Sequence, residues 1–306
     1  SDVNTLQLIY EQGGNVNGLN LYIESNLLKV NWWNSNTDYY DNTGVEPNTT
    51  YVCTFIYSGA ANEWTLSVNG QVEASVSGVP GSLNQHSGDI GLGYIVGDTQ
   101  FDGNRDIASG QLFKGQIMEM IYYNEHVLTN NQQARIETYL SIKYGVSLQS
   151  DFITSDSTNV LWDYSTNVDY RNNLAAIGFD GNGAILQKQS SSESEGTLLT
   201  IGLDTIVESN ASNSADFSTG ADYLVWGHNA DGLRGMMDND SIPDQSGLVD
   251  RLARLWKVEE TGGIGNVKLA FPKDSIDSYF PNSALGEMYL YVADNESLEL
   301  NPESVL

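Results

Sequence analysis

The chain has 306 residues, 40 Asp and Glu against 13 Lys and Arg, and a formal net charge of −27. That surplus argues against a nucleic-acid partner, whose phosphates need cationic side chains, and against anionic lipid surfaces; it suits solubility in salt water, where charges are screened, and it suits cation binding. Hydrophobic residues at 40% and aromatics at 10% suffice for folded cores, the length favours two domains, and no apolar run approaches the ~18 residues of a membrane span.

From the start of the chain, TLQLIYE alternates Leu6, Leu8 and Tyr10 on one face, as a half-buried strand does. LNLYIE and LLKVNWW follow, joined by Ser25 and Asn26. TYVCTFIY is expected to pair with the hairpin EWTLSVNGQVEASV, whose Asn69-Gly70 step suits the positive φ angles of a type I′ turn. The single cysteine, Cys53, cannot form an internal disulfide, and strand alternation makes it a small core residue. DIGLGYI and QIMEMIYY add further strands, and the regular spacing predicts a two-sheet sandwich.

A helix then opens at Thr129, with Gln132 completing a capping box. It places Ile136, Tyr139, Leu140 and Tyr144 on one stripe, with Gln133, Glu137 and Ser141 opposite, and closes at Gly145. From about Ser150 the texture changes. The polar stretch SDFITSDSTNVLW leads into LAAIGFD, GAILQKQ, TLLTIGL, DYLVWGHN, RLARLWKVEETG and GNVKLAF, which read as short strands of a second all-β domain. The division is expected at 1–147 and 148–306. Residues 275–306, with the strand MYLYVA, either finish the second domain or begin another module.

The order LFKGQIMEMIYYNEHVLTNNQQARIETYLSIKYG (Gly, strand, short loop, amphipathic helix, Tyr-Gly) resembles the end of the laminin-G or concanavalin-A-like lectin module. The "VNG" hairpin is shared with that fold. The segments IGFDGNG, YLVWGHN and RLARLWKVEETG resemble the β-rich domain that follows this module in large surface proteins of Bacteroidetes and marine or gliding bacteria. The resemblance implies an all-β chain: a laminin-G-like two-sheet sandwich with one C-terminal helix, then a second all-β domain. It covers residues 5–147 of the first domain and implies further strands upstream of TLQLIYE. The sandwich is therefore expected to be N-terminally incomplete, with the first strand's neighbours supplied by another module of the same large protein or by a neighbouring chain. It also implies an extracellular location on a bacterial cell surface. Asp156-Ser157-Thr158, Asp204-Thr205-Ile206, Asp240-Ser241-Ile242 and Asp274-Ser275-Ile276 resemble Bacteroidetes O-glycosylation signals and fit an exported protein.

For glycan contact the sequence offers NWWNSNTDYYDN. Sugars are held by aromatic faces and planar amide or carboxylate hydrogen bonds. Trp32 and Trp33 must point to opposite faces of a strand, leaving Trp33, Asn34, Asn36, Asp38, Tyr39 and Tyr40 as a polar-aromatic loop. An ordinary loop beside one buried Trp reads equally well. For cations, Asp102, Asn104 and Asp106 lie at i, i+2 and i+4 in GDTQFDGNRDIASG, with Asp98 one turn away. An EF-hand is excluded, because Ile107 and Phe113 stand where Gly and a bidentate Glu are needed. A structural calcium in such a loop is what the resemblance implies; a hydrated acidic turn is the alternative. Asp180 with Asn182, and Asp238, Asp240 and Asp244, are lesser acidic turns.

Catalytic signals are poor. The strand motif Glu-x-Asp-x-x-Glu of jelly-roll hydrolases does not occur, and Glu119 has no acidic partner at the spacing that retaining hydrolysis needs. His86, His126 and His228 are too scattered for a triad or a zinc site. The expectation is a non-catalytic fragment of a large surface protein, an adhesin for glycans or surfaces. A polysaccharide-degrading enzyme of the same fold and a structural spacer are the alternatives.

Overall fold

The computed structural model describes residues 2–35, 37–86, 88–103, 105–107, 109–124, 128–218, 220–232, 235–236, 250–279, 290 and 292–293. The described residues are all-β apart from one long and one short α-helix and two single-turn 3-10 helices. It divides into two compact units, Ser1–Leu140 with Leu148–Ser150, and Ser141–Ser147 with Asp151–Leu306.

In the first unit, strands β1 (Gln7–Gly13), β2 (Asn17–Glu24), β3 (Leu27–Asn34) and β4 (Thr37–Gly44) are followed by β5 (Cys53–Ser58), β6 (Glu63–Val68), β7 (Gln71–Ser77) and β8 (Ile90–Leu92). A small hairpin, β9 (Thr99–Phe101) and β10 (Arg105–Ile107), comes next. The strands form a five-stranded sheet, β4-β3-β2-β1-β8, and a three-stranded sheet, β5-β6-β7. Two tight turns set the register. Ser25 and Asn26 have φ of 58° and 63°, and Asn69 and Gly70 have 49° and 82°, the positive pair a type I′ hairpin needs.

Directly paired residues of antiparallel strands share a face. One face of the larger sheet carries Leu21, Val30 and Trp32, which pack with Trp64, Leu66 and Val68 of the smaller sheet. The opposite face carries Leu8 and Tyr22, which pack under Ile95 and Phe101 of the segment containing the β9–β10 hairpin. Both faces of the five-stranded sheet are thus covered. That is why Trp32 and Trp33, side by side in sequence and pointing opposite ways, are both fully buried.

Two expectations need correction here. β1 has both neighbours within this chain, pairing β2 on one side and β8 on the other, so its partners do not come from elsewhere. Cys53, at the first position of edge strand β5, is exposed by surface area, although burial still pushes its thiol up to about 12.

Helix α1 (Asn130–Tyr144) begins as expected. The Thr129 backbone N–H donates to Gln132 Oε1 at 2.9 Å, and the Gln132 N–H donates to Thr129 Oγ1 at 3.3 Å. Gly145 follows in the left-handed region at φ 67°. The polar stripe opposite Ile136 and Leu140 is buried at Glu137 and Ser141. Glu137 accepts hydrogen bonds from Thr54 Oγ1 at 2.7 Å and Gln133 Nε2 at 2.9 Å, and Gln133 also donates to Ser67 Oγ at 3.0 Å. The strand face that meets the helix is polar, so polar side chains satisfy it better than apolar ones.

The second unit contains β11 (Phe152–Ile153), β12 (Val160–Trp162), β13 (Asn172–Asp180), β14 (Ile185–Gln187), β15 (Gln189–Ser191), β16 (Thr200–Leu203) and β17 (Asp222–His228). Then come β18 (Gly235–Met236), β19 (Asp250–Arg251), β20 (Trp256–Thr261), β21 (Val267–Ala270) and the short helix α2 (Lys273–Tyr279). A four-stranded sheet, β14-β13-β17-β20, and a three-stranded sheet, β15-β16-β21, enclose Ala175, Ile177, Ile201, Leu203, Leu224 and Trp226. Gly227 admits close packing on the other face, since a Cβ there would lie 2.2 Å from the Tyr170 carbonyl oxygen and 2.5 Å from Leu174 Cδ2. Of the expected strand MYLYVA, Leu290, Val292 and Ala293 stand outside any strand, and the rest lies outside the described residues.

Candidate binding surface

The polar-aromatic run proposed for glycans is not a loop. It is the β3–β4 hairpin, in register Trp33↔Asp38, Trp32↔Tyr39 and Asn31↔Tyr40. Trp33 is fully buried, its indole Nε1 donating to the Gly14 carbonyl at 2.8 Å, and its ring leaves no room for a side chain at Gly18. It offers no face to a sugar, which corrects its assignment. Tyr39 packs on Trp32, with ring centroids 5.2 Å apart. Asn34 accepts from Asn84, and Asp38 is half-buried. Tyr40, 51% exposed on edge strand β4, presents an aromatic face. Asn36 lies outside the described residues.

The acidic segment is likewise a hairpin. Asp102 opens its turn and is held by protein groups: Tyr22 Oη donates to it at 2.6 Å, Arg105 Nη2 at 2.8 Å and Lys29 Nζ at 3.3 Å. Arg105 also grips Glu24 with both terminal nitrogens, at 3.1 and 2.9 Å, and Lys29 reaches Glu24 at 3.2 Å. The positive charge that a divalent ion was expected to supply at Asp102 comes from Lys29 and Arg105. A calcium here therefore rests on exposed Asp98, on Asn104 and on Asp106; Asn104 and the Asp106 side chain lie outside the described residues. Among the described residues, no group of three or more His, Cys, Asp or Glu could hold a metal.

The network has a pH signature. Arg105, then Lys29, holds the Glu24 carboxyl below its usual range against a burial effect. Burial pushes Asp102 up, but the Tyr22, Arg105 and Lys29 hydrogen bonds outweigh it and leave its value lowered. Folded values below unfolded ones mean that the stabilisation is present above the ordinary carboxylate range and is lost as the pH falls through the lowered values. Arg105→Ala should lower stability by about 1 kcal/mol, because the guanidinium is partly exposed and solvent-screened. Urea midpoints at neutral pH and below the carboxylate range test this: the difference between parent and variant should shrink in acid.

The remaining candidates are structural. Asp180 accepts from the Asn182 and Gly183 backbone N–H groups at 3.0 Å each, and from Tyr223 Oη at 2.8 Å, which makes it the pivot of a turn. Asp238, Asp240, Asp244 and His126 lie outside the described residues. Glu119 accepts from Tyr139 Oη at 3.2 and 3.3 Å.

What sequence reasoning missed is an exposed apolar surface. Residues 116–123 form no strand. Ile117, Met120, Ile121, Tyr122 and Tyr123 are exposed, Tyr122 at 60%. On β8, Leu92 pairs Tyr10 and Ile90 pairs Gln12, which places both on the face that elsewhere packs against β5–β7. Five strands face only three, so the inner face extends past its cover and Ile90 is 62% exposed. Tyr122 adjoins this area: burial, then Tyr122 and Glu11, push the Tyr10 phenol up to about 12. The signal was present in the sequence, because Ile117-Met118 and Met120 to Tyr123 are apolar at successive positions, and such a segment is expected to be covered on both sides.

This is a two-unit, all-β chain without a recognisable catalytic constellation among its described residues. A family model described as "Domain of unknown function (DUF8202)" matches residues 132–305, more than half of the chain, and the chain belongs to that family. No curated protein matches it. A solved S-layer domain-containing protein from Clostridium thermocellum is 16% identical, with a TM-score of 0.22 over 45% of this chain and 64% of that one.

Proposed function

We propose that the chain is a non-catalytic attachment module of a large exported surface protein, an adhesin whose first unit is of the laminin-G or concanavalin-A-like kind. The observation that carries this reading is the apolar-aromatic surface of the first unit. Ile90, Leu92, Ile117, Met120, Ile121, Tyr122 and Tyr123 are all exposed, and exposed large apolar side chains in such number mark contact sites. The contact is with a glycan or a solid surface, and tyrosine suits both, with an apolar ring and a polar tip. The acidic remainder keeps a long array of such modules soluble and apart. Attachment would come from many copies on one protein, since linked weak sites gain effective concentration.

Retention of the chain on insoluble polysaccharide beads and on polystyrene beads tests this. Retention on either should fall several-fold in Ile121→Ser/Tyr122→Ser, and no reducing ends should appear with any polysaccharide. Retention unchanged in the variant would place the contact elsewhere. Turnover of a glycan would replace attachment with hydrolysis.

A further inference from the structure

Under the β9–β10 hairpin, the larger sheet of the first unit carries a polar row. Glu11 of β1 pairs Asn20 of β2, and Asn20 pairs Asn31 of β3, so the three side chains stand on adjacent strands and one face. All three are fully buried. Such a row is costly unless each polar atom has a partner.

The orientation of the two amides is fixed. Asn20 Nδ2 donates to the Gln100 carbonyl oxygen at 2.9 Å and to Thr99 Oγ1 at 3.2 Å, and Asn31 Nδ2 donates to the same carbonyl at 3.0 Å. A backbone carbonyl can only accept, so the nitrogens must face it and the oxygens must face away. Asn20 Oδ1 and Asn31 Oδ1 are then buried with no hydrogen-bond partner among the described residues. Glu11 uses Oε1 to accept from the Val96 N–H at 2.8 Å, while its Oε2 is also buried without a partner. Three neighbouring side chains thus each hold an acceptor oxygen that no described protein donor meets.

We propose that Glu11, Asn20 and Asn31 form a binding site for a hard cation of the calcium class. The donor set is oxygen only, which selects against zinc and copper. Magnesium, which sheds its waters reluctantly, suits a buried site poorly, whereas calcium accepts carboxylate, amide and carbonyl oxygens in irregular numbers. Glu11 would supply the negative charge at the site, its Oε2 buried and without a hydrogen-bond partner. The site is separate from Asp102, which Lys29 and Arg105 already neutralise. It does not depend on the attachment reading, whose surface lies on the other face of the sheet.

Terbium, a luminescent stand-in for calcium, tests the site on the full chain in physiological salt, which screens loose binding to the acidic surface. Trp33 and Tyr22, each two residues from a proposed ligand and on the same strand face, would sensitise its emission. Emission should saturate and be displaced by calcium, and calcium should raise the melting temperature. In Glu11→Gln the affinity should fall about tenfold or more, with fold checked by circular dichroism. Asn31→Ala, which removes one of the three oxygens, should likewise weaken binding. No saturable emission from the parent, or affinity equal to the parent's in either Glu11→Gln or Asn31→Ala, would each overturn the proposal. A proton or a water would then serve these oxygens.

Discussion

Trp33→Ala should destabilise the chain by about 3–5 kcal/mol, the usual cost of removing a large aromatic side chain from a packed interior. Trp33 is fully buried, its ring lies over Gly18, and its indole N–H satisfies the Gly14 carbonyl. Alanine would leave a cavity over Gly18 and a carbonyl without its donor. Gly18, which faces the ring, has no side chain to fill the space it leaves. Denaturant unfolding measures the loss. Trp33→Phe should recover the packing part and leave the carbonyl unpaired, giving an intermediate value. A surface tryptophan serving a ligand would behave differently: its removal would cost binding and leave the unfolding midpoint where it was.

The second large effect is acid sensitivity from His228. This residue is buried at the end of β17, and its Nδ1 accepts from the Ala230 N–H at 3.0 Å, which places the ring proton on Nε2. The edge of the ring meets Trp256, with centroids 6.2 Å apart. Burial, and then the positive charge of Arg254, pushes its pKa down to about 4. The unfolded chain therefore binds a proton that the folded chain refuses. Stability from this group is complete above the unfolded value near 6.5 and is lost as the pH falls toward 4, by about 3 kcal/mol in total. His228→Asn keeps an acceptor for Ala230 and removes the titration. Urea unfolding at about pH 7 and about pH 4.5 should show a smaller acid loss in the variant than in the parent. Equal losses would assign the acid sensitivity to the carboxylates.

Local chemistry made much of the architecture legible. The Ser25-Asn26 and Asn69-Gly70 turns could be read because positive φ is expensive for most residues and cheap for these. The start of α1 could be read because Thr129 and Gln132 satisfy each other's backbone groups without help from the rest of the fold. Alternation located β1, β2, β3, β5, β6 and β7 for the same reason, since a strand's two faces are written in its own residues; β4, too polar to alternate clearly, read as a loop.

What lies above each face is not written there. Alternation shows that Trp32 and Trp33 point opposite ways, but not that Ile95 and Phe101 pack on Leu8 and Tyr22 of the second face, where Trp33 is buried as well. The Gln133–Glu137–Ser141 stripe is polar by composition, and it is buried at Glu137 and Ser141 because Thr54 and Ser67 wait across from Gln133 and Glu137. Asp102 reads as a cation ligand by spacing, yet Lys29, 73 residues earlier in the chain, joins Arg105, three residues on, to neutralise it. Residues 116–123 have the pattern of a strand, and a strand exists only where another backbone completes its ladder. The sequence by itself determined turns, caps and strand faces, because these depend on neighbours along the chain. Burial, charge pairing and the exposed surface were decided by tertiary structure, because each depends on a group distant in sequence that arrives only on folding.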